Sequence, residues 1–342
     1  METNNQYKSK IVIVSNASSG GGAEKSMMAL HQSFLKNGIR SNLIALNQSS
    51  VLQPTPFVTT LNRKWKSGSI FTFINFLNFR DLLESIDPEL LIINCELPEL
   101  YGAMLRSRRK IICVEHTSRP WNRKKFLGFA VRSVLKFKKA KWVTVIKGQQ
   151  KIWLAGKAFA YIPNPYINQS TKNRKTSDGT SLTFIGGLKE NKRPDWVIKA
   201  GLNLNLNVQV IGDGALRASL EKEYDKHSSQ IKFFGFNPNP WDLVSSESLV
   251  IVPSDYEGDG MVVVEAVLSG NPILLRDNPD LRRFGFDEKH YFYDLGELIS
   301  IVKKNTESKF KKLVVSQSKT QELKFTRTLP LITKKWMDII DN

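Results

Sequence analysis

Hydrophobic positions along the chain fall into short apolar runs separated by amphipathic stretches. The first run, residues 11–16, is followed by a glycine-rich loop and by residues 23–38, in which apolar side chains recur at helical spacing. Further apolar runs of strand length lie at 41–46, 89–94, 110–116 and 141–148. Strands that alternate with helices predict a parallel sheet covered by helices on both faces.

This pattern breaks at residues 161–181, where two prolines flank Asn164 and a polar stretch follows, as is typical of a linker. A second alternation then begins, with apolar runs at 182–187, 208–214, 231–236, 248–254 and 272–276, and with helices predicted at 194–202, 215–226, 240–247 and 261–269. We expect two doubly wound, Rossmann-like α/β domains, residues 1–162 and 163–324, facing each other across a cleft. A final helix, 325–342, is expected to pack on one of the two domains, and packing back on the N-terminal domain is one of these two options.

The charge of the chain is concentrated in one segment. The 342 residues contain 50 Lys and Arg against 32 Asp and Glu, a net charge of +18, and 41% of them are apolar, which indicates a folded globular protein. Residues 101–160 hold 16 of the cations and one acid, Glu115. The excess charge is therefore a local surface property of the N-terminal half.

Neither cysteine suggests a disulfide or a metal site. Cys95 and Cys113 lie in apolar runs and are interpreted as packing residues. The polar start has no apolar signal-peptide core, and no apolar run approaches the roughly 18 residues of a membrane span. A cytoplasmic location is expected. No Asp-x-Asp pair or His/Cys cluster with ligand spacing is present in the sequence, so no metal is expected.

The most informative segment for chemistry is residues 254–275. A strand ends there, Glu257 opens a tight turn, and a helix is predicted from Met261, although a run of three valines makes a strand the alternative. A helix start offers an anion site, with Glu257 beside it and Glu265 one turn further on. Solvated caps, or a two-carboxylate glycoside hydrolase pair, are the competing interpretations of the two glutamates.

At this segment the chain resembles the retaining nucleotide-sugar glycosyltransferases of family 4, also called glycosyl transferases group 1, which have the GT-B fold. Their pattern Glu-Gly-x-Gly/Pro-x-x-x-x-Glu-Ala-x-x-x-Gly-x-Pro matches residues 257–272 in order and spacing. Other stretches that resemble the family are 20–30, 161–165, 184–195, 210–221 and 233–258. The resemblance covers about residues 11–275.

The resemblance implies roles for individual residues. It implies that Glu265 binds the ribose of the donor, that Glu257 lies by the donor sugar and phosphate, and that His116 contacts the donor sugar. A satisfied loop histidine is the alternative for His116. The implied catalytic residues are Glu257 and His116, and the implied donor-binding residues are Gly21, Gly22, Gly186, Lys192, Gly212, Gly258, Asp259, Gly260, Met261, Val262 and Glu265.

The chain departs from the family at Gly187, where an arginine is usual. Lys189 or Arg193 is expected to replace that cation, or backbone amides carry more of the diphosphate. The family chemistry needs little else, because Lys192 and a helix N-terminus stabilise the leaving group without a metal. Retention is attributed to front-face attack, in which the departing phosphate takes the proton of the acceptor, so no dedicated general base is expected.

The basic segment is predicted to meet the acceptor. Residues 123–142 read as a helix with an apolar and a cationic face, which suits an anionic membrane surface. The aromatic-rich stretch 70–79, with Trp65 before it, is a second candidate. Core helices with solvated basic faces are the alternative. In the family the N-terminal domain binds the acceptor, which is often a saccharide on a lipid carrier.

The expected function is therefore transfer of a hexose or N-acetylhexosamine from a UDP-sugar, with GDP as the alternative nucleotide, to a lipid-linked saccharide or a lipopolysaccharide or capsule precursor. The enzyme is expected at the inner face of the cytoplasmic membrane. Two other functions stay open. One is a catalytically impaired GT-B partner subunit, which Gly187 supports. The other is nucleic-acid binding through the basic segment, for which the sequence carries no recognised motif.

Overall fold

The chain forms two compact units. The computed structural model describes residues 11–18, 20–47, 56–63, 69–106, 109–122, 124–167 and 181–341. One unit comprises Met1–Pro165 and Arg327–Asn342, and the other comprises Tyr166–Thr326. The sequence places the boundaries after residues 162 and 324. The acceptor and donor roles of the two units stay predictions.

The N-terminal unit begins with strands and helices in alternation. Its elements are β1 (Ile11–Ser15), α1 (Gly22–Lys36), β2 (Ser41–Asn47), β3 (Val58–Arg63), α2 (Ser69–Ile86), β4 (Leu90–Asn94), α3 (Glu96–Met104), β5 (Lys110–Glu115), α4 (Lys125–Phe137), β6 (Lys141–Thr144), β7 (Lys151–Ile152), β8 (Gly156–Lys157) and β9 (Ala160–Tyr161).

The C-terminal unit repeats the alternation. Its elements are β10 (Ser181–Ile185), α5 (Pro194–Asn203), β11 (Asn207–Ile211), α6 (Arg217–Glu223), β12 (Ile231–Gly235), β13 (Leu249–Val252), α7 (Met261–Leu268), β14 (Ile273–Arg276), α8 (Pro279–Arg282), β15 (Tyr291–Phe292), α9 (Leu295–Thr306) and α10 (Gln317–Thr326). The last helix, α11 (Leu329–Ile340), belongs to the N-terminal unit.

The sheet of the N-terminal unit is parallel and covered on both faces. Its described strands run in the order β3-β2-β1-β4-β5-β6-β9, and β7 and β8 form a separate antiparallel pair. Alternate residues of β1 face opposite layers. Ile11 and Ile13 pack with α1 and α11, whereas Val12 and Val14 pack with α2, α3 and α4. Strands buried on both faces explain the continuous apolar runs in the sequence.

The C-terminal unit has the same architecture. Its described strands run in parallel in the order β12-β11-β10-β13-β14-β15. Residues of α5, α6 and α9 fill the core on one face, and residues of α7 and α10 fill it on the other. The prediction of two doubly wound α/β sheets is confirmed. The carboxyl end of β13 opens into the glutamate-rich turn that precedes α7.

Several predicted elements are corrected. The valine run at 262–264 lies in α7, so the strand alternative is wrong. The helix predicted over 240–247 is only a short 3₁₀ turn, Pro240–Asp242, because the Ser245 hydroxyl accepts a hydrogen bond from the Glu247 amide and turns the chain. Two helices are shorter than predicted. The structure has α6 where the sequence predicts a helix over 215–226, and α4 where it predicts one over 123–142.

The final helix returns to the N-terminal unit. Ile332 and Trp336 of α11 are buried in the same core as Leu30 of α1, and the Ser33 and Thr333 hydroxyls lie 2.7 Å apart. Strand β3 was not predicted, since its polar sequence lacks an apolar run. Both cysteines are free, as expected of packing residues. In the described part of the chain, no helix has the length and apolar character to cross a membrane.

Candidate functional site

A tight turn connects β13 to α7 in the C-terminal unit. Gly260 precedes the helix with φ of 69°, a left-handed conformation that a glycine adopts without strain. A Cβ at this position would also lie 3.0 Å from the Phe284 ring. Asp259 is 6% exposed, and Met261 and Val262 begin the helix. The turn thus presents the positive end of the α7 dipole to residues 257–260.

Lys192 and Glu257 meet beside this turn. The Lys192 ammonium donates to Glu257 Oε1 at 2.6 Å, and the Ser254 hydroxyl donates to the same oxygen at 2.7 Å. Their side chains are 26% and 12% exposed, so the pair is partly screened from solvent but still accessible. A lysine, a carboxylate and a helix N-terminus therefore converge at one place. This arrangement suits a ligand that carries both phosphate and hydroxyl groups.

Glu265 of α7 is held in place by a buried tryptophan. Its Oε2 accepts a hydrogen bond of 2.9 Å from the indole nitrogen of Trp241, which is 1% exposed. Glu265 is half-buried rather than a solvated surface residue. A buried indole donor thus fixes the orientation of the Glu265 carboxylate.

Two residues that the sequence did not point to support the turn. The Glu257 amide donates to Asp280 Oδ2 at 3.0 Å. Arg283 donates to the Gly258 carbonyl and lies 3.5 Å from Asp280 Oδ1. The contacts of Asp280 with Glu257 and of Arg283 with Gly258 span 23 and 25 residues of sequence, so no local motif could have revealed them.

The glycine-containing loops after β10 and β11 bring two backbone segments close together. A Cβ on Gly212, whose φ is +143°, would lie 1.9 Å from the carbonyl oxygen of Gly186. The Gly186 amide donates to Ile211 at 3.0 Å, and the Leu188 amide to Asp213 at 2.9 Å. A side chain at position 212 is thereby excluded where the loops after β10 and β11 cross, which accounts for Gly212.

The two candidate replacements for the family arginine differ in their surroundings. Lys189 is exposed, and its Cε lies 3.7 Å from where a Cβ of Gly187 would be. Arg193 lies 3.5 Å from the carboxylate of Asp195 and 5.0 Å from the Trp196 ring centroid. The Lys189 chain therefore lies over Gly187, whereas Arg193 is engaged at the start of α5.

The remaining predicted site residues lie in the N-terminal unit. Gly21 and Gly22 form the start of α1, and a Cβ on Gly21 would lie 3.5 Å from the Glu24 carboxylate. His116 follows β5. Its Nε2 is buried with no hydrogen-bond partner in the described structure, and burial lowers its pKa to about 4. The imidazole is therefore neutral at physiological pH.

A buried ionic cluster precedes His116. Arg132 of α4 donates to Glu99 through Nε at 3.0 Å and Nη2 at 2.8 Å, and to Glu115 through Nη2 at 2.8 Å. The three residues, which we name the arginine cluster, are each at most 3% exposed. Burial raises the pKa of Glu115 to about 7, against the opposing effect of Arg132. Two carboxylates thus share one guanidinium.

Helix α4 differs from its predicted pattern. Phe126, Phe129 and Phe137 are 95%, 58% and 89% exposed, and we name them the aromatic face of α4. Arg132 is buried, so it does not belong to a cationic face. Arg132 is therefore an exception to the predicted cationic face, and the outward surface carries the aromatic face together with exposed lysines near the helix ends.

Another predicted cation also points inward. The Lys138 ammonium donates to the carbonyls of Gly102 and Ala103 at 3.0 and 2.7 Å, and also to that of Leu105, at the end of α3. It caps that helix instead of meeting solvent. The exposed lysines in the described part of the segment are Lys124, Lys125, Lys136, Lys139 and Lys141. Arg123, and residues 64–68 before the second aromatic stretch, lie outside the described residues.

No group of three or more His, Cys, Asp or Glu side chains among the described residues is arranged to hold a metal ion.

Part of the chain matches a known protein family. Residues 167–290 match the family model of glycosyl transferases group 1. An uncharacterized glycosyltransferase of Methanocaldococcus jannaschii is 33% identical over 96 residues, 27% of this chain and 27% of that protein. The Campylobacter jejuni GalNAc-α-(1→4)-GalNAc-α-(1→3)-diNAcBac-PP-undecaprenol α-1,4-N-acetyl-D-galactosaminyltransferase is 26% identical over 176 residues, 46% of this chain and 47% of that enzyme. The chain thus spans less than half the length of either curated relative.

Solved structures match nearly the full length of the chain. Anabaena Alr3699/HepE in complex with UDP and glucose superposes with a TM-score of 0.77 and 15% identity, covering 98% of this chain and 100% of that one. At this identity the similarity concerns the fold, which is that of the GT-B glycosyltransferases. The predicted fold class is confirmed, and the match of residues 167–290 lies in the unit that holds Lys192, Glu257 and Glu265.

Proposed function

We propose that this chain is a retaining, metal-independent glycosyltransferase that moves a hexose or an N-acetylhexosamine from a UDP-sugar to a lipid-linked saccharide or a lipopolysaccharide or capsule precursor. The observation that carries the proposal is the convergence of Lys192, Ser254 and Glu257 at the N-terminus of α7. The family match of the surrounding residues and the superposition on a UDP-bound protein support it.

In the proposed reaction the bond between the anomeric carbon and the diphosphate oxygen breaks, and a bond from that carbon to the acceptor oxygen forms on the same face. The acceptor proton passes to the departing phosphate. Lys192 and the α7 dipole stabilise the negative charge that develops on the leaving group. Glu265 binds the ribose and Glu257 contacts the donor sugar, whereas a role of His116 at the donor sugar rests on the family resemblance alone. Lys189 supplies the second cation for the diphosphate, since its chain lies over Gly187.

A thermal-shift screen of nucleotides and nucleotide sugars tests the proposal. UDP and one UDP-sugar are expected to raise the melting temperature, because a ligand that binds only the folded state stabilises it. Release of UDP in the presence of an acceptor distinguishes an enzyme from a catalytically impaired subunit. Absence of any shift with nucleoside diphosphates, together with salt-sensitive binding of DNA, would overturn the proposal.

Replacement of Glu265 by alanine is expected to weaken UDP binding by roughly 10- to 100-fold, the effect of losing a hydrogen bond to a charged group, about 1.5–3 kcal/mol. Trp241→Phe, which removes the donor that orients Glu265, should give a smaller loss. Isothermal titration with UDP measures both. Glu221→Ala, in an exposed ion pair with Arg217, is the matched control. Equal UDP affinity in Glu265→Ala and wild type would contradict the ribose role.

The proposed location is the inner face of the cytoplasmic membrane, where α4 docks. Its aromatic face supplies the apolar contact, and exposed lysines near its ends supply attraction to anionic lipids. The net charge of residues 101–160, 16 cations against one acid, favours an anionic surface over a second copy of the same segment. This docking places the acceptor-binding unit beside a lipid-linked acceptor.

Replacement of both Phe126 and Phe137 by serine is expected to weaken binding to vesicles at least about tenfold, because insertion at an interface recovers part of the roughly 1.5–3 kcal/mol for burying each ring. Sedimentation with phosphatidylglycerol-containing vesicles measures the loss. Phe325→Ser is the control, since Phe325 is 70% exposed in the other unit. An equal loss with Phe325→Ser, or none with the double variant, would argue against docking by α4.

A further inference from the structure

Arg132 connects four elements of the N-terminal unit. It projects from the inner side of α4, and it contacts Glu99 in α3 and Glu115 at the end of β5. Its Nη1 also donates to the Trp153 carbonyl at 2.9 Å, in the turn between β7 and β8. Replacement of a buried ionic group by apolar side chains is often neutral or stabilising, so stability alone does not account for a guanidinium between two carboxylates.

The loop that begins with His116 contacts α4 at both ends and is also bound to α3 near its end. At its start, Glu115 precedes His116 directly and accepts from Arg132. Near its end, Trp121 is bound to α3, because its indole nitrogen donates to Glu99 at 2.7 Å and its amide donates to Glu96 at 2.6 Å. A Cβ on Gly128 of α4 would lie 2.4 Å from Trp121 Cγ, so the ring packs directly on the helix backbone. A displacement of α4 therefore acts on the loop through the Arg132–Glu115 contact and through the Trp121 ring.

The same helix carries the aromatic face on its opposite side. Arg132 is 1% exposed, whereas Phe126 and Phe137 are 95% and 89% exposed. One rigid element thus has a surface for the membrane and an ionic contact to the residue before His116. The His116 ring has no hydrogen bond through Nε2 in the described structure, so no partner of that nitrogen fixes the ring.

We propose that Arg132 is a positioning residue that couples the aromatic face of α4 to His116, so that docking of α4 on a membrane orders the loop from His116 to Trp121. The inference rests on the proposed membrane docking and adds to it a route by which docking reaches a predicted site residue. Ordering of one segment by another through a shared ionic contact requires no large movement.

Hydrogen–deuterium exchange with phosphatidylglycerol/phosphatidylethanolamine vesicles tests the coupling. In the wild type, exchange is expected to slow in α4 and in the loop from His116 to Trp121. In Glu115→Gln, which removes one charged partner of Arg132 and leaves Glu99, the slowing should persist in α4 and be lost in the loop. Asp87→Asn is the matched control, because Asp87 forms an exposed ion pair with Arg109 in the same unit.

Each outcome decides a different point. If vesicles slow the exchange of α4 but not of the loop in the wild type, the coupling is overturned and the docking is not. The same follows if vesicles slow exchange of the loop equally in Glu115→Gln and in the wild type. Absence of slowing in α4 overturns the docking proposal and the coupling with it. Unchanged exchange of the strands without vesicles checks the folding of Glu115→Gln, and Arg132→Lys takes its place if it does not fold.

A second measurement reports the position of the imidazole directly. The chain has four histidines, so ring signals of histidine-labelled protein are few, and loss of one in His116→Gln identifies it. The His116 ring signal is expected to shift in Glu115→Gln and to stay unchanged in Asp87→Asn. An unchanged signal in Glu115→Gln would overturn the positioning role, because a purely structural contact elsewhere would leave the ring in place.

Discussion

Replacement of Lys192 by glutamine is expected to slow sugar transfer by about 10²–10³-fold, the usual effect of removing one preorganised group that stabilises a developing negative charge. The ammonium lies 2.6 Å from Glu257 and next to the α7 N-terminus, so it is already in place when the leaving group becomes charged. The turnover of the donor found in the thermal-shift screen gives the rate, and titration with UDP gives the affinity.

The comparison between rate and affinity makes the result specific. A lysine that stabilises the transition state more than the bound donor lowers the rate more than the UDP affinity. Lys199→Gln is the control, because Lys199 forms an exposed pair with Asp195 at 3.2 Å in the same unit. A Lys192→Gln variant with wild-type turnover would show that the phosphate is held elsewhere, and Lys189 would be the next residue to replace.

The candidate donor site could be predicted because most of it is contiguous. Glu257, Gly260 and Glu265 occupy one turn and one helix, so their spacing in sequence fixes their spacing in the structure. Trp241 and Asp280 were missed for the opposite reason, since their hydrogen bonds to this segment span 24 and 23 residues. Such contacts form only when the fold brings together segments that follow different strands of the sheet.

The basic segment shows that a count of charged residues does not tell which of them are exposed. The cationic face predicted for residues 123–142 made no distinction between Arg132, Lys138 and the other cations of the segment. Arg132 instead points inward to Glu99 and Glu115, and Lys138 caps α3. Both partners come from other elements, so the sequence of α4 alone could not reveal them. Strand β3 was missed on similar grounds, because its pairing with β2 and not its own composition makes it a strand.

The stability of His116→Gln and Glu115→Gln is expected to depend on pH with opposite signs. Burial lowers the pKa of His116 from 6.5 to about 4. Between these values the unfolded chain binds a proton that the folded chain does not, so the free energy of unfolding rises with pH. Burial raises the pKa of Glu115 from 4.5 to about 7, and there the folded chain holds the extra proton, so stability falls as pH rises.

The two effects overlap between pH 4.5 and 6.5 and oppose each other in the wild type. Relative to wild type, His116→Gln keeps only the Glu115 effect and should lose stability as pH rises through this window. Glu115→Gln keeps only the His116 effect and should gain stability as pH rises through the same window. Each slope approaches at most about 1.4 kcal/mol per pH unit, the value of one proton. Urea unfolding followed by tryptophan fluorescence at several pH values measures the slopes.

The double variant separates this explanation from a general change in stability. His116→Gln combined with Glu115→Gln removes both protons from the balance, so its slope should return to that of the wild type even if its stability is lower throughout. Other buried histidines titrate in all four proteins and cancel in the differences. Slopes of the same sign in the two single variants would mean that the arginine cluster keeps Glu115 ionised, and that Arg132, rather than burial, sets the protonation state beside His116.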